Sequence, residues 1–325
     1  MSSNKILHNG CFYCPINSLP DEPFFSLVDY RNNYFTSDDP DKIIEFYDGF
    51  ENSKQLIGWM KERPKGVSKI HEVEGDKDII VVIPTENFNG KYAKECYESI
   101  FKGLHIIFVE SGKDFYFNYA HNCNVGIRRA MDYNPKWIII SNDDMYKIDD
   151  PEVLITEICN FDPVKYDIIF PFPDDYHTIP FYISKKRVTY NIYRYIRERQ
   201  VNIFFNKFGV DYFYSFYKIS SRFVFKKVKG TDSISTIAFG ILSSKYIERL
   251  GVNIFDEIYI NEHEDIDLSL RLTLLHARIV NINYKIKALR GSTIGNEKCR
   301  GLRSITGRVY FNFKYRKLFL KMLDQ

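Results

Sequence analysis

Two acidic clusters in this 325-residue chain have the residue types and spacing for chemistry on a charged substrate. The first is Asn142-Asp143-Asp144, which ends an apolar run beginning at Trp137. Two adjacent carboxylates repel each other unless solvent or a cation relieves them. A hard divalent cation shared with a phosphate-bearing substrate would do so, although a solvated acidic turn is the plainer explanation. The second cluster is Glu262-His263-Glu264-Asp265-Ile266-Asp267, followed by Leu268 to Leu272. Acids at the start of an apolar helix suit the helix dipole. Asp267 and Arg271 are four residues apart and can pair on a helix surface. That pairing leaves Glu262, Glu264 and Asp265 unexplained.

The elements that must position these clusters are legible from the hydrophobic pattern. Trp137 to Ser141 is short and β-branched, as a strand buried on both faces requires. Asp78 to Thr85 is an earlier strand, which Pro84 is expected to end. Tyr92, Cys96 and Ile100 mark a helix over about Asn89 to Lys102, closed by Gly103. His105 to Val109 forms a second strand ending at Glu110. Asn118 to Ile127 leads into a helix through about Tyr133, which Asn134-Pro135 stops. This βαβαβ order with short connections predicts a parallel sheet whose loops at Pro84–Glu86, Glu110–Gly112 and Asn142–Met145 share one edge. Ligands bind at that edge of open α/β sheets. No G-x-G-x-x-G follows the first strand and no G-x-x-x-x-G-K-[ST] occurs, which disfavours a dinucleotide site and a P-loop. A short helix to about Asn160, a strand over Tyr166 to Phe172, a strand over Ser233 to Ser243 and a helix from Ser244 to Leu250 complete the pattern.

Composition bounds the class. Hydrophobic content of 45% and charged content of 27% are ordinary for a globular chain, and the net charge is only +3. The charge is uneven. Residues 1–78 carry 14 acids and 9 bases, whereas residues 181–230 carry 12 bases, 2 acids and 15 Phe or Tyr. From Lys298 to Lys321 there are 8 bases and no acid. Such segments suit phosphate groups or an anionic membrane, and equally suit wet faces of packed helices. Cys11 and Cys14 form a lone C-x-x-C without a second pair, so a zinc site is not expected, and the other four cysteines read as buried thiols. No signal peptide or membrane span is evident, and a cytoplasmic setting is expected. The expected divisions are an N-terminal extension and linker at 1–77, an α/β half at 78–180, a basic aromatic insertion at 181–230, a second half at 231–295 and a basic C-terminal segment at 296–325. Within the extension, a helix over about Pro40 to Met60 is expected.

From Asp78 to Tyr284, with a gap over 181–230, the chain resembles a family 2-type glycosyltransferase of the GT-A fold. The resemblance rests on Ile83-Pro84-Thr85, Glu110, the Asn122–Ile127 stretch, Asn142-Asp143-Asp144, and Glu264-Asp265-Ile266-Asp267-Leu268 with Arg271, in that order. It implies a mostly parallel, Rossmann-like nucleotide-binding sheet flanked by helices. It implies a nucleoside diphosphate sugar donor, a glycan or lipid-linked acceptor, Mn²⁺ or Mg²⁺, and inversion by a single displacement. Asp144, with Asp143, would hold the metal as an N-x-D variant of the family's D-x-D motif. Pro84, Thr85, Glu86, Glu110, Asn122 and Asn142 would serve the donor, with Glu110 accepting from the base. Asp265 is the expected catalytic base and Glu264 the second choice. The family's usual His after the acidic helix is missing from Lys287–Ser292, where Arg290 stands as a substitute contact to the diphosphate. Peripheral membrane contact is one role for the basic C-terminal run. No nucleic-acid partner is expected. The competing readings are a nucleotidyltransferase on a related sheet, which the Thr85–Lys91 loop supports poorly, and a non-catalytic polyanion-binding protein.

Overall fold

Three strands with no exposed core residue set the frame: Ile79 to Ile83, Ile106 to Val109 and Ile138 to Ile140. The computed structural model describes residues 27–147, 149–171, 178–179, 182–184, 200, 203–210, 213–215, 226–227, 234–235, 239–288 and 297–324. In chain order the elements are helices α1 (Leu27–Thr36), α2 (Pro40–Asp48) and α3 (Ser53–Glu62), strands β1 (Lys69–Val73) and β2 (Asp76–Thr85), and helix α4 (Lys91–Glu95), which continues as a π-turn over Cys96–Ile100. Strand β3 (Leu104–Glu110), helix α5 (Tyr119–Met131), strands β4 (Trp137–Ser141) and β5 (Met145–Lys147), helix α6 (Pro151–Cys159) and strand β6 (Ile168–Pro171) follow. Beyond the short strands at 178–235 come β7 (Phe239–Ser243), α7 (Ser244–Leu250), α8 (Glu264–Leu274), β8 (Ile279–Ile282), β9 (Ile286–Ala288) and α9 (Glu297–Asp324).

The main sheet has seven strands in the order β1-β3-β2-β4-β7-β6-β8. β2 runs parallel to β3 and β4, and β6 parallel to β8, while β7 lies antiparallel between β4 and β6 and β1 lies antiparallel on the edge. The sheet is therefore mixed and open, with helices on both faces. Alternation within each strand divides the core: Ile79, Val81, Ile83 and Ile139 enter one apolar cluster, and Ile80, Val82, Ile138 and Ile140 the other. Gly126 lets α5 lie close on the sheet, because a Cβ there would come within 2.3 Å of Val82 Cγ1 and 3.0 Å of Val109 Cγ2.

Several elements differ from the sequence reading. The helix expected from Pro40 to Met60 is two helices, broken after Gly49 and restarted by Asn52, whose side chain accepts from the N–H groups of Lys54 and Gln55. The polar stretch read as a linker contains β1, hidden because an edge strand buries little and needs no apolar alternation. Pro84 does not end its strand. β2 pairs with β4 only as far as Val82 and with β3 through Thr85, so the proline lies beyond the central pairing. Helix α5 begins at Tyr119, with Asn118 as its cap accepting from His121 N–H, so Asn122 to Ile127 lies inside the helix rather than at its entry. Cys159 is exposed, not buried.

A third core explains much of the aromatic excess. Phe35, Phe46, Tyr47 and Trp59 from the N-terminal helices pack with Phe204, Phe205 and Phe208 and with Phe311 and Phe319 of α9. The N-terminal extension, a piece of the insertion and the C-terminal segment thus share one apolar cluster beside the sheet. Lys207 Nζ donates to the carbonyls of Tyr47 and Asp48 at 3.0 and 3.1 Å, so that basic residue of the insertion serves packing. No helix among the described residues is long and apolar enough to cross a membrane.

Candidate functional site

The carboxyl edge of β2, β3 and β4 gathers the first acidic cluster. Thr85 is paired with Glu110 across β2 and β3, and Thr85 Oγ1 donates to Asp143 Oδ2 at 2.8 Å. Asp143 and Asp144 are 4% and 5% exposed, so both carboxylates sit beneath the surface of the edge. Their negative field reaches Cys96, whose thiol burial pushes up and Asp143 and Asp144 push further. Side chains at Asn142, Asp143 and Asp144 offer oxygen donors alone, the set that a hard divalent cation takes. Among the described residues, these two acids are not part of a cluster of three or more close ligand atoms. The donor chemistry fits a magnesium- or manganese-like ion held by Asp144 and Asp143.

Tyr119, at the start of α5, joins this turn to the second cluster. Its hydroxyl donates to Asn142 Oδ1 at 2.8 Å, and its backbone N–H donates to Asn261 Oδ1 at 2.8 Å. Burial pushes the Tyr119 phenol well up, and both Glu264 and Asp265 add to the rise. Tyr119 therefore bonds to one residue beside each acidic cluster, although the two segments are more than a hundred residues apart in sequence.

The turn carrying the second cluster is tightly determined. Asn261 and His263 both hold positive φ, 56° and 77°, a conformation that residues other than glycine rarely adopt. Gly307 of α9 packs against it: a Cβ there would lie 2.7 Å from Glu262 O and 2.8 Å from His263 Nδ1. Glu264 is 7% exposed and its Oε2 has no hydrogen-bond partner. Burial drives its carboxyl well above the usual range, and the neighbouring Asp265 adds to that. Burial likewise pushes Asp265 up to about 6, with Glu262 raising it and the Ile266 N–H and Arg300 opposing. Asp265 Oδ1 accepts from that N–H at 2.7 Å. The pair therefore sets side by side two carboxyl groups whose proton affinities burial raises.

Asp267 has a different task. It is fully buried, not a surface partner of Arg271. Arg271 Nε donates to its Oδ2 at 2.9 Å, Tyr315 Oη donates to Oδ1 at 2.8 Å, and Lys314 Nζ lies 2.7 Å from Oδ1. Lys314 Nζ also lies 2.8 Å from Asp256 Oδ2. These contacts fasten α9 to the acidic helix, so this part of the basic C-terminal run is internal. Arg303 donates to the Ser37 carbonyl at 3.0 Å, whereas Arg316, Lys317 and Lys321 face outward.

The remaining expected donor residues are distributed unevenly. Pro84 is buried within β2 and Glu86 lies on the following loop, 3.6 Å from Lys113 Nζ. Glu110 was expected to stand open to a base, but its Oε2 already accepts from Phe88 N–H at 3.0 Å. His71 Nε2 lies 2.9 Å from the same oxygen without hydrogen-bond alignment, and the His71 ring stacks on Phe88 at 4.4 Å. Asn122 is 1% exposed. Its Oδ1 accepts from Ser68 Oγ at 2.7 Å, and its Nδ2 is buried without a hydrogen-bond partner. Asn124 instead clamps the backbone of Phe255 at both N–H and C=O, each at 3.0 Å. Arg290 lies outside the described residues, as do Cys11 and Cys14.

Among the described residues, Glu72, Glu74 and His105 converge closely enough to hold an ion. Their place is wrong for the same chemistry. His105 is the second residue of β3 and Glu110 the last, which puts the cluster roughly 17 Å from the Asn142 edge at about 3.3 Å per residue. Its acids are also engaged: Glu72 accepts from Arg129 Nε and Tyr133 Oη, each at 2.6 Å, and Glu74 pairs with Lys77 at 3.2 Å. This network ties β1 to α5.

His71, Phe88, Tyr119 and Asn261 were not picked out from sequence. Tyr119 follows the capping Asn118, a local signal for the helix start but not for the long-range bond to Asn142. No family model matches the chain, and no match was found among curated proteins.

Proposed function

We propose that the chain is a metal-dependent, inverting glycosyltransferase of the GT-A type. It would move a sugar from a nucleoside diphosphate sugar to an acceptor hydroxyl. The observation supporting this reading is the double contact of Tyr119, whose hydroxyl donates to Asn142 and whose backbone N–H donates to Asn261, one residue from each acidic segment. The first segment supplies hard oxygen donors, and the second supplies a carboxyl group pushed up to about 6.

In the reaction, the Asp265 carboxylate takes the proton of the acceptor hydroxyl as that oxygen attacks the anomeric carbon. A new C–O bond forms on one face while the bond to the diphosphate oxygen breaks on the other. The electron pair leaves with the nucleoside diphosphate, and configuration inverts. A carboxyl pushed up to about 6 is a stronger base than an ordinary aspartate yet remains largely ionised at pH 7. Burial and the charge of Asp265 raise the neighbouring Glu264 carboxyl well above its usual range, which favours its neutral form beside the base. A divalent cation bound at Asp144 and Asp143 would stabilise charge growing on the diphosphate. Tyr119 holds Asn142, and Thr85 holds Asp143, in their places at the edge.

The test is a thermal-shift screen of nucleoside diphosphate sugars with and without Mn²⁺ or Mg²⁺. A donor at 100 times its Kd stabilises the fold by about 2.7 kcal/mol. One donor should raise the melting temperature only with metal, and Asp144→Asn should abolish that rise. No shift with any donor in either metal would overturn the reading. Asp265→Asn should bind the donor and lose transfer; turnover retained in this variant would remove Asp265 as the base.

A further inference from the structure

A cavity of about 390 Å³ opens between the end of α1, the loop after β3 and the start of α9, with Ile260, Asn261 and Glu262 forming one wall. It lies next to the reacting pair, because Glu262 and Arg300 both line it and both act electrostatically on Asp265. Its volume is in the range of small-molecule sites and suits the end of a glycan rather than a long polymer.

The lining has two characters. Phe115 and Phe117 offer aromatic surface, against which the C–H face of a sugar ring can pack, while the third aromatic of the lining, Phe35, is 2% exposed. Arg63, Lys113, Arg300 and Arg303 supply four positive charges against the three negative charges of Asp38, Asp114 and Glu262. Two of those acids are already engaged. Asp114 accepts from the N–H groups of Tyr116 and Val67 at 2.6 and 3.4 Å, and Glu262 pairs with Arg300 at 2.6 Å. Arg63 is 2% exposed, and its hydrogen bonds go to neutral oxygens: Asn32 Oδ1 and the carbonyls of Phe115, Tyr116 and Phe117. Its charge is thus set into the wall without a directly bonded carboxylate. Lys113 is 88% exposed at the rim, where its 3.6 Å pair with Glu86 holds it weakly.

We propose that this cavity binds the acceptor, and that the acceptor is an anionic sugar carrying a phosphate or a carboxylate. The assignment rests on the glycosyltransferase reading for the word acceptor, but the anion site stands on the cavity itself. Arg300 and Lys113 contact the anionic group, Arg63 supplies fixed positive potential behind it, and the aromatic wall takes the ring. This places substrate selection in the N-terminal helices and α9, elements outside the seven-stranded sheet.

The experiment is isothermal titration of the full chain, without nucleotide sugar, using three probes: a hexose phosphate, a hexuronate and the neutral hexose. At least one anionic probe should bind tenfold or more tightly than the neutral hexose, and the stronger of the two identifies phosphate or carboxylate. Arg300→Gln and Lys113→Gln, both surface changes checked for native circular dichroism, should each weaken that probe by tenfold or more. Glu262→Gln should strengthen it by removing the competing carboxylate. Equal binding of the neutral hexose, no binding of either anion, or unchanged affinity in both cation variants would overturn the proposal. The donor screen is a separate readout. Anion binding without any donor shift would retain the cavity and remove the transferase, and a donor shift without anion binding would do the reverse.

Discussion

Asp265→Asn should make the protein more stable while it destroys transfer. Burial pushes the Asp265 carboxyl from its ordinary 3.8 up to about 6. The native state therefore holds a proton that the unfolded chain releases between those values, and wild-type stability falls as pH rises through that window. At about 1.4 kcal/mol per pH unit, the ionised side chain costs the fold about 3 kcal/mol above pH 6. Asparagine removes that cost and keeps an Oδ1 to accept from the Ile266 N–H, now 2.7 Å away. The gain in unfolding free energy should be about 3 kcal/mol at pH 8 and about half of that at pH 5, where much of the wild-type carboxyl is already protonated. Urea unfolding of both proteins at the two pH values measures it. The magnitude follows from desolvation of a charged carboxylate. An asparagine variant that is less stable than wild type at pH 8, or a difference that does not change between pH 5 and pH 8, would refute the reasoning.

Two further predictions concern what holds the site. Lys314→Met should destabilise the protein by about 3 kcal/mol or more, since it leaves Asp256 and the fully buried Asp267 without their shared cation; a loss under about 1 kcal/mol on urea unfolding would mean that Arg271 and the tyrosines suffice. Gly126→Ala should cost about 1–3 kcal/mol by driving a methyl group into Val82, and Val82→Ala in the same chain should recover part of that loss. An alanine variant as stable as wild type would show that α5 shifts without penalty.

Much of the sheet was legible because its signals are local. Trp137 to Ser141 was read at its true limits, since a short β-branched run between Pro135 and an acidic turn has few alternatives. The parallel arrangement of β2, β3 and β4 followed from the spacing of strands and helices. Edge strand β1 was not legible: His71 and Glu72 look like linker residues until a neighbour pairs with them. The antiparallel insertion of β7 between β4 and β6 was equally hidden, because strand direction is set by a connection running through residues 172–238 and not by Phe239 to Ser243 themselves.

At the candidate site, residue type alone marked Asp144 and Asp265 as positions worth attention. How each acid is held was decided by tertiary contacts. Asp267 and Asp265 differ by two positions on one helix, yet Asp267 meets Arg271, Tyr315 and Lys314 while Asp265 meets a backbone N–H and a buried neighbour. Glu110 looked open in sequence and is held by Phe88. Sequence determined the chemistry each side chain is able to do, since that resides in its covalent structure. Charge state, accessibility and partnership depend on solvent removed and dipoles brought near by distant segments, and only the packing of α9, α5 and the Asn261 turn supplied them.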